Sequence, residues 1–235
     1  FRYEGVLPNC FEHSWEAGGD RIAGGTDLLA RGKPGAGKST LAQYLAVREL
    51  EINREKVVWR GSSSRSEWLG LAPWTVLCLP KGVPITARLE SKNPNDPAVL
   101  LEREDLEKIV REVRYYSDPV DLNREVLDEG TFHVVYPDPR LRGCQEVLEA
   151  SPERRYDTPP DRETLFSEED PASHWWFAWV LARVEHGPHD WTTLIFDEIG
   201  DIAPQSARKD SFGSYQKVEL LKDTWVDARK FGLSI

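Results

Sequence analysis

The nine residues Gly32-Lys33-Pro34-Gly35-Ala36-Gly37-Lys38-Ser39-Thr40 constrain this chain more than any other stretch. They complete the pattern G-x-x-x-x-G-K-S, a glycine-rich loop whose backbone N–H groups can converge on phosphate without side-chain obstruction. The pattern carries that meaning between a strand and a helix, and both are predicted here. Asp27, Leu28, Leu29, Ala30 and Arg31 make a short apolar run, as expected of a strand buried on both faces. After the loop, Leu41 with Leu45, and Ala42 with Ala46 and Leu50, recur at fourfold spacing and predict a helix over residues 40–51. Residues 56–61, KVVWRG, predict a second strand ended by Gly61 and a serine cluster.

The rest of the chain alternates in the same way. A strand is predicted over residues 73–80, PWTVLCLP, and another over 131–136, TFHVVY. Between them Leu106, Ile109, Val110 and Val113 fall at helical spacing, with acidic residues first and Arg111 and Arg114 later, so a helix is expected over 102–116. Residues 151–171, rich in Pro, Arg, Asp and Glu, read as a surface loop. Residues 173–186 predict an apolar, aromatic helix, and 191–198, WTTLIFDE, a buried strand with two carboxylates at its C-terminal end. A helix over 217–230 and a strand opening at Leu233, Ser234 and Ile235 complete the pattern. The alternation predicts an α/β fold, a three-layer sandwich around a mainly parallel central sheet. It would form one domain over 1–235 with a helical or loop insertion at about 82–172. A strand only beginning at Leu233 implies that the domain continues past Ile235.

Composition narrows the function classes. With 235 residues and a formal net charge of -10, the chain has no overall basic field, so any contact with nucleic acid must come from a local patch or an oligomer's inner surface. Cys10, Cys78 and Cys144 are odd in number and lack CxxC spacing, which argues against a disulfide framework or zinc site and for a reducing compartment. No run of 18 apolar residues is present and FRYEGVLPNC is not a signal peptide, so a cytoplasmic location is expected.

The chemistry divides between two stretches. Gly32, Pro34, Gly35, Ala36, Gly37, Lys38, Ser39 and Thr40 are the candidate nucleotide cradle, with a helix N-terminus pointed at the phosphates. In such a loop Lys38 bridges the β and γ phosphates and the Ser39 hydroxyl ligates Mg²⁺. At the end of Leu194-Ile195-Phe196-Asp197-Glu198, Asp197 is placed to hold the Mg²⁺ shell and Glu198 to orient and polarise a water. An acidic pair of this kind favours ATP hydrolysis over phosphoryl transfer to a small molecule.

GKPGAGKST and LIFDE, separated by a stretch containing extra strands, resemble the additional-strand P-loop ATPases. Within that group, DEIGDIAP and DARKFGLSI resemble the HerA and FtsK type, including archaeal and viral DNA-packaging ATPases. The resemblance covers the two motifs and their flanks. It implies an Mg²⁺-dependent ATPase acting on double-stranded DNA in a homo-oligomeric ring, with a capsid or membrane-bound partner possible and a virion-associated location if the chain is viral. It also implies an arginine from a neighbouring subunit, for which Arg208 and Arg229 are candidates, and a polar sensor at the end of the strand opening at Leu233.

Other features have less to say. Arg60, Arg65 and the intervening serines are suited either to a phosphate or DNA contact or to an ordinary loop. HGPHD, with His186 and His189, reads as a turn rather than a metal site, and Trp175, Trp176 and Trp179 as core rather than a base-stacking platform. Two further functions stay open from the residues alone: an ATP-dependent switch or assembly protein, and a nucleotide or small-molecule kinase.

Overall fold

The computed structural model describes residues 28–62, 66–89, 95, 97–150, 171–196, 228 and 231–235. Its centre is a six-stranded, all-parallel sheet in the order β5-β2-β6-β1-β7-β8. The strands are β1 (Lys56–Arg60), β2 (Thr75–Pro80), β5 (Glu112–Tyr116), β6 (Thr131–Val135), β7 (Thr192–Ile195) and β8 (Leu233–Ser234). A separate antiparallel pair, β3 (Ala87–Leu89) and β4 (Val99–Leu101), follows β2. The helices are α1 (Lys38–Ile52), α2 (Arg103–Ile109), α3 (Pro119–Asp121), α4 (Cys144–Glu149) and α5 (Pro171–His186). A 3₁₀ segment spans Glu67–Trp74, and α3 runs on into a π-helical turn, Leu122–Val126.

The sheet is parallel because its strands are apolar on both faces, a pattern that only helices packed on either side can satisfy. Every residue of β1, β2 and β6 is buried. Alternate side chains then fill two separate cores. Val57, Trp59, Leu77, Leu79, Phe132 and Val134 meet Ala46 of α1 and Trp68 and Ala72 of the 3₁₀ segment. Val58, Val76, Cys78, Val135 and Leu194 meet α4 and the largely buried α5. The result is the expected three-layer α/β sandwich.

Two local expectations are corrected. The helix predicted over 102–116 stops at Ile109, where the Val110 N–H closes the last turn on the Leu106 carbonyl; the Arg111 N–H then bonds Thr75 on β2 instead. Residues 112–116, EVRYY, are rich in β-branched and aromatic side chains, and pairing with β2 decides their conformation against a helical spacing. The buried strand expected over 27–31 is not a strand at residues 28–31, where Leu28 and Leu29 are exposed. Among the described residues its one backbone tie is the Leu28 N–H, donated to the Ile235 carbonyl at 2.8 Å. Asp27 lies outside the described residues, as do most of the helix predicted over 217–230 and residues 151–170 of the loop predicted over 151–171, whose last residue, Pro171, instead opens α5. Two strands of the central sheet, β5 and β6, come from residues 82–172, the stretch read from sequence as an insertion.

Candidate nucleotide-binding site

In a parallel sheet with helices on both faces, ligands bind at the carboxyl ends of the strands, and the glycine loop lies where the chain turns into α1. The turn at Pro34 and Gly35 is closed by the Ala36 N–H bonding the Lys33 carbonyl at 3.1 Å. Gly35 and Gly37 have φ of 78° and 84°, the left-handed region where a side chain would be strained. Gly32 has no room either: a Cβ there would meet the Ala36 Cβ at 3.0 Å. The glycines thus make the tight arch that the sequence pattern called for.

The arch ends on an uncapped helix. Gly37 offers no side-chain cap, the first turn of α1 holds no acidic residue, and the first intrahelical bond is Leu41 N–H to Gly37 at 2.9 Å. The N–H groups of Lys38, Ser39 and Thr40 precede that bond, so they and the positive helix end are open to an anion. The Lys38 ammonium folds back over the arch and donates to the carbonyls of Gly32 at 3.1 Å and Lys33 at 3.5 Å. Of the sequence candidates, Gly32, Pro34, Gly35, Ala36, Gly37, Lys38, Ser39 and Thr40 are therefore gathered in one exposed to half-exposed loop. Two glycines in the left-handed region, an uncapped helix end and the adjacent Lys38 ammonium are chemically compatible with a nucleotide's phosphate chain.

The strand leading to the carboxylates is β7, and the described residues continue one past it, to Phe196. Asp197, Glu198, Arg208 and Arg229 lie outside the described residues, as does Arg65. Phe196 is held edge-on against Trp176, ring centroids 5.8 Å apart, and Trp176 is in turn packed edge-on against Trp175 and Trp179. The three tryptophans are fully buried, so they buttress the end of β7 and are not a stacking platform. On the sheet, β8 lies beside β7, and the chain entering the loop lies beyond β8, joined through Leu28 and Ile235. At the end of β1, Gly61 donates to the Val135 carbonyl at 2.7 Å, and a Cβ there would lie 2.7 Å from the Tyr136 ring.

HGPHD serves as a joint at the opposite edge of the sheet. Asp190 pairs with Lys56 and Arg183, each at 2.7 Å, and His189 stacks on Phe231 while its Nε2 meets the Val184 carbonyl. Among the described residues no group of three His, Cys, Asp or Glu could hold a metal ion, and no helix is long and apolar enough to cross a membrane.

Two buried polar clusters had no counterpart in the sequence reading. Under the last turn of α1, Glu49 and Glu55 are both buried; Asn53 donates to Glu49 and Thr193 of β7 donates to Glu55. Burial first, and then the neighbouring Glu55, push the Glu49 carboxyl up to about 8. Beyond β6, Asp138 is buried and takes hydrogen bonds from Arg140 and Arg142. Burial alone would raise its pKa, but those bonds outweigh it and hold the carboxyl below the usual range. The Asn53–Glu49 and Arg142–Asp138 contacts are local, at i,i+4, whereas the Thr193–Glu55 bond depends on β1 and β7, distant in the chain, lying side by side.

These features define an α/β protein with a six-stranded parallel sheet and a glycine-rich loop leading into α1. Comparison with protein-family models, with curated proteins and with solved structures gave no match.

Proposed function

We propose that this chain is a Mg²⁺-dependent ATPase of the additional-strand P-loop type, whose hydrolysis drives movement or packaging of double-stranded DNA. The observation that carries the ATPase is the arch of Gly32, Gly35 and Gly37 on the uncapped start of α1, with Lys38 poised over it. The order of the sheet supports the additional-strand type, since β8 separates β7 from the chain that enters the loop. The DNA motor rests on the resemblance of DEIGDIAP and DARKFGLSI to the HerA and FtsK type, as do a homo-oligomeric ring and a capsid or membrane-bound partner.

Bound ATP and Mg²⁺ would supply the phosphoanhydride and the charge that offsets it. The loop N–H groups and Lys38 bind and orient the phosphates, Ser39 and Asp197 hold the metal, and Glu198 orients a water and takes its proton. Direct measurement of phosphate release tests this. Lys38→Ala and Glu198→Gln are each expected to lower turnover about 100-fold or more, as loss of one preorganised charge contact does, and duplex DNA should stimulate the parent. Parent-like turnover in both variants would sink the ATPase. A hydrolysing parent that no DNA stimulates would leave the ATPase and remove the motor, favouring an ATP-dependent switch.

A further inference from the structure

The β3–β4 hairpin forms a two-stranded sheet of its own, separate from the central one. Among the described residues no third strand pairs with either edge, so each edge carries unpaired backbone N–H and C=O groups. Its side chains are as open as its backbone. Val99 and Leu100 are successive on β4 and point to opposite faces, yet they are 55% and 67% exposed. A two-stranded ribbon uncovered on both faces is marginal in water, and an added strand supplies the missing pairing and cover together.

The root of the hairpin holds an open cleft of about 600 Å³, within the range of binding pockets. Leu79 and Tyr115 line it from the central sheet, Val83 and Ile85 from the leg that enters β3, and Leu106 from α2. The cations here are already engaged. Arg103 lies over the Tyr115 ring at 5.0 Å and pairs with Glu107 at 2.8 Å, and Lys108 pairs with Asp105 at 3.1 Å. Arg88, opposite Leu100 across the hairpin, has a partner of its own. Glu102 and Glu104, which also line the cleft, are exposed and enter no ion pair among the described residues. The charge left over at the cleft is negative.

We propose that the β3–β4 hairpin and this cleft bind an extended peptide segment of a partner protein, in which apolar residues are flanked by lysine or arginine. Backbone pairing along an open hairpin edge gives the affinity, the cleft takes an apolar side chain, and Glu102 and Glu104 select the basic neighbour. A small apolar ligand would fill the cleft but leave Val99, Leu100 and the strand edges exposed, so a peptide accounts for more of this surface. Nothing in this site depends on ATP hydrolysis.

The test is fluorescence anisotropy of a short labelled peptide of alternating Val and Lys, titrated with the full chain. Two counterparts accompany it: one with Glu for Lys, and one N-methylated along its backbone, which keeps the side chains but cannot donate to a strand edge. The Val–Lys peptide should bind, and both counterparts should bind about tenfold more weakly or worse. Leu100→Ser should weaken the Val–Lys peptide about tenfold, and Glu104→Gln about two- to fivefold, the worth of one exposed ion pair. Both side chains are exposed, so both variants should melt with the parent. If Leu100→Ser melts early, Glu104→Gln decides, and unchanged affinity in it overturns the site. A parent that binds none of the peptides overturns it as well. So does equal binding of the N-methylated peptide, or parent-like affinity in folded Leu100→Ser, since either reduces the attraction to that of a basic peptide for an acidic chain.

Discussion

Glu49 shows how one side chain ties the helix of the glycine loop to the sheet. Its carboxyl is buried at the C-terminal end of α1, where the helix dipole disfavours negative charge, and faces Glu55, whose oxygen accepts from Thr193 on β7. The raised pKa means that the folded chain holds a proton there which the unfolded chain releases near 4.5. Stability from this group is complete below the unfolded value and falls as pH rises from there to about 8. Glu49→Gln, which mimics the protonated form, should flatten that decline, a slope of at most about 1.4 kcal/mol per pH unit. Urea midpoints of parent and variant across the window provide the check. Identical slopes would mean that Glu49 is not the group responsible.

Among the elements, α5 and β7 form the support behind the expected hydrolytic end of the site. Trp176 touches Phe196, the residue before Asp197, so truncating it removes both core volume and a positioning contact. Trp176→Ala is expected to destabilise by about 3–5 kcal/mol and to lower turnover about 10-fold or more through misplacement, while nucleotide affinity, set by the glycine loop, changes little. Equal losses in affinity and turnover would place its effect in general unfolding. The sequence foretold α5 and β7 well, because long apolar runs with Trp, Leu and Ile have few alternatives to burial. It misled at EVRYY, where Val110 and Val113 continue a helical spacing that the Arg111 bond to Thr75 ends. The glycine loop was legible because its geometry is local; the contacts of Arg140 and Arg142 with the Lys81 and Gly82 carbonyls were not, because they form only when β2 and β6 pair.

For the whole molecule, the proposed ring sets the measurement. Light scattering with and without ATP and Mg²⁺ is expected to show the parent gaining subunits when both are present and Lys38→Ala failing to do so. A parent that stays monomeric under all conditions would count against the ring and toward a kinase. At this scale the sheet order also matters, because parallel neighbours are joined by long crossovers.

The bond between Leu28 and Ile235 has a consequence for biosynthesis. The segment that feeds the glycine loop is synthesised some two hundred residues before the carbonyl that anchors it. Such distant pairing forms late, after the loop between the partners has been closed. A nascent chain that has not reached β8 therefore carries the glycine loop without that anchor.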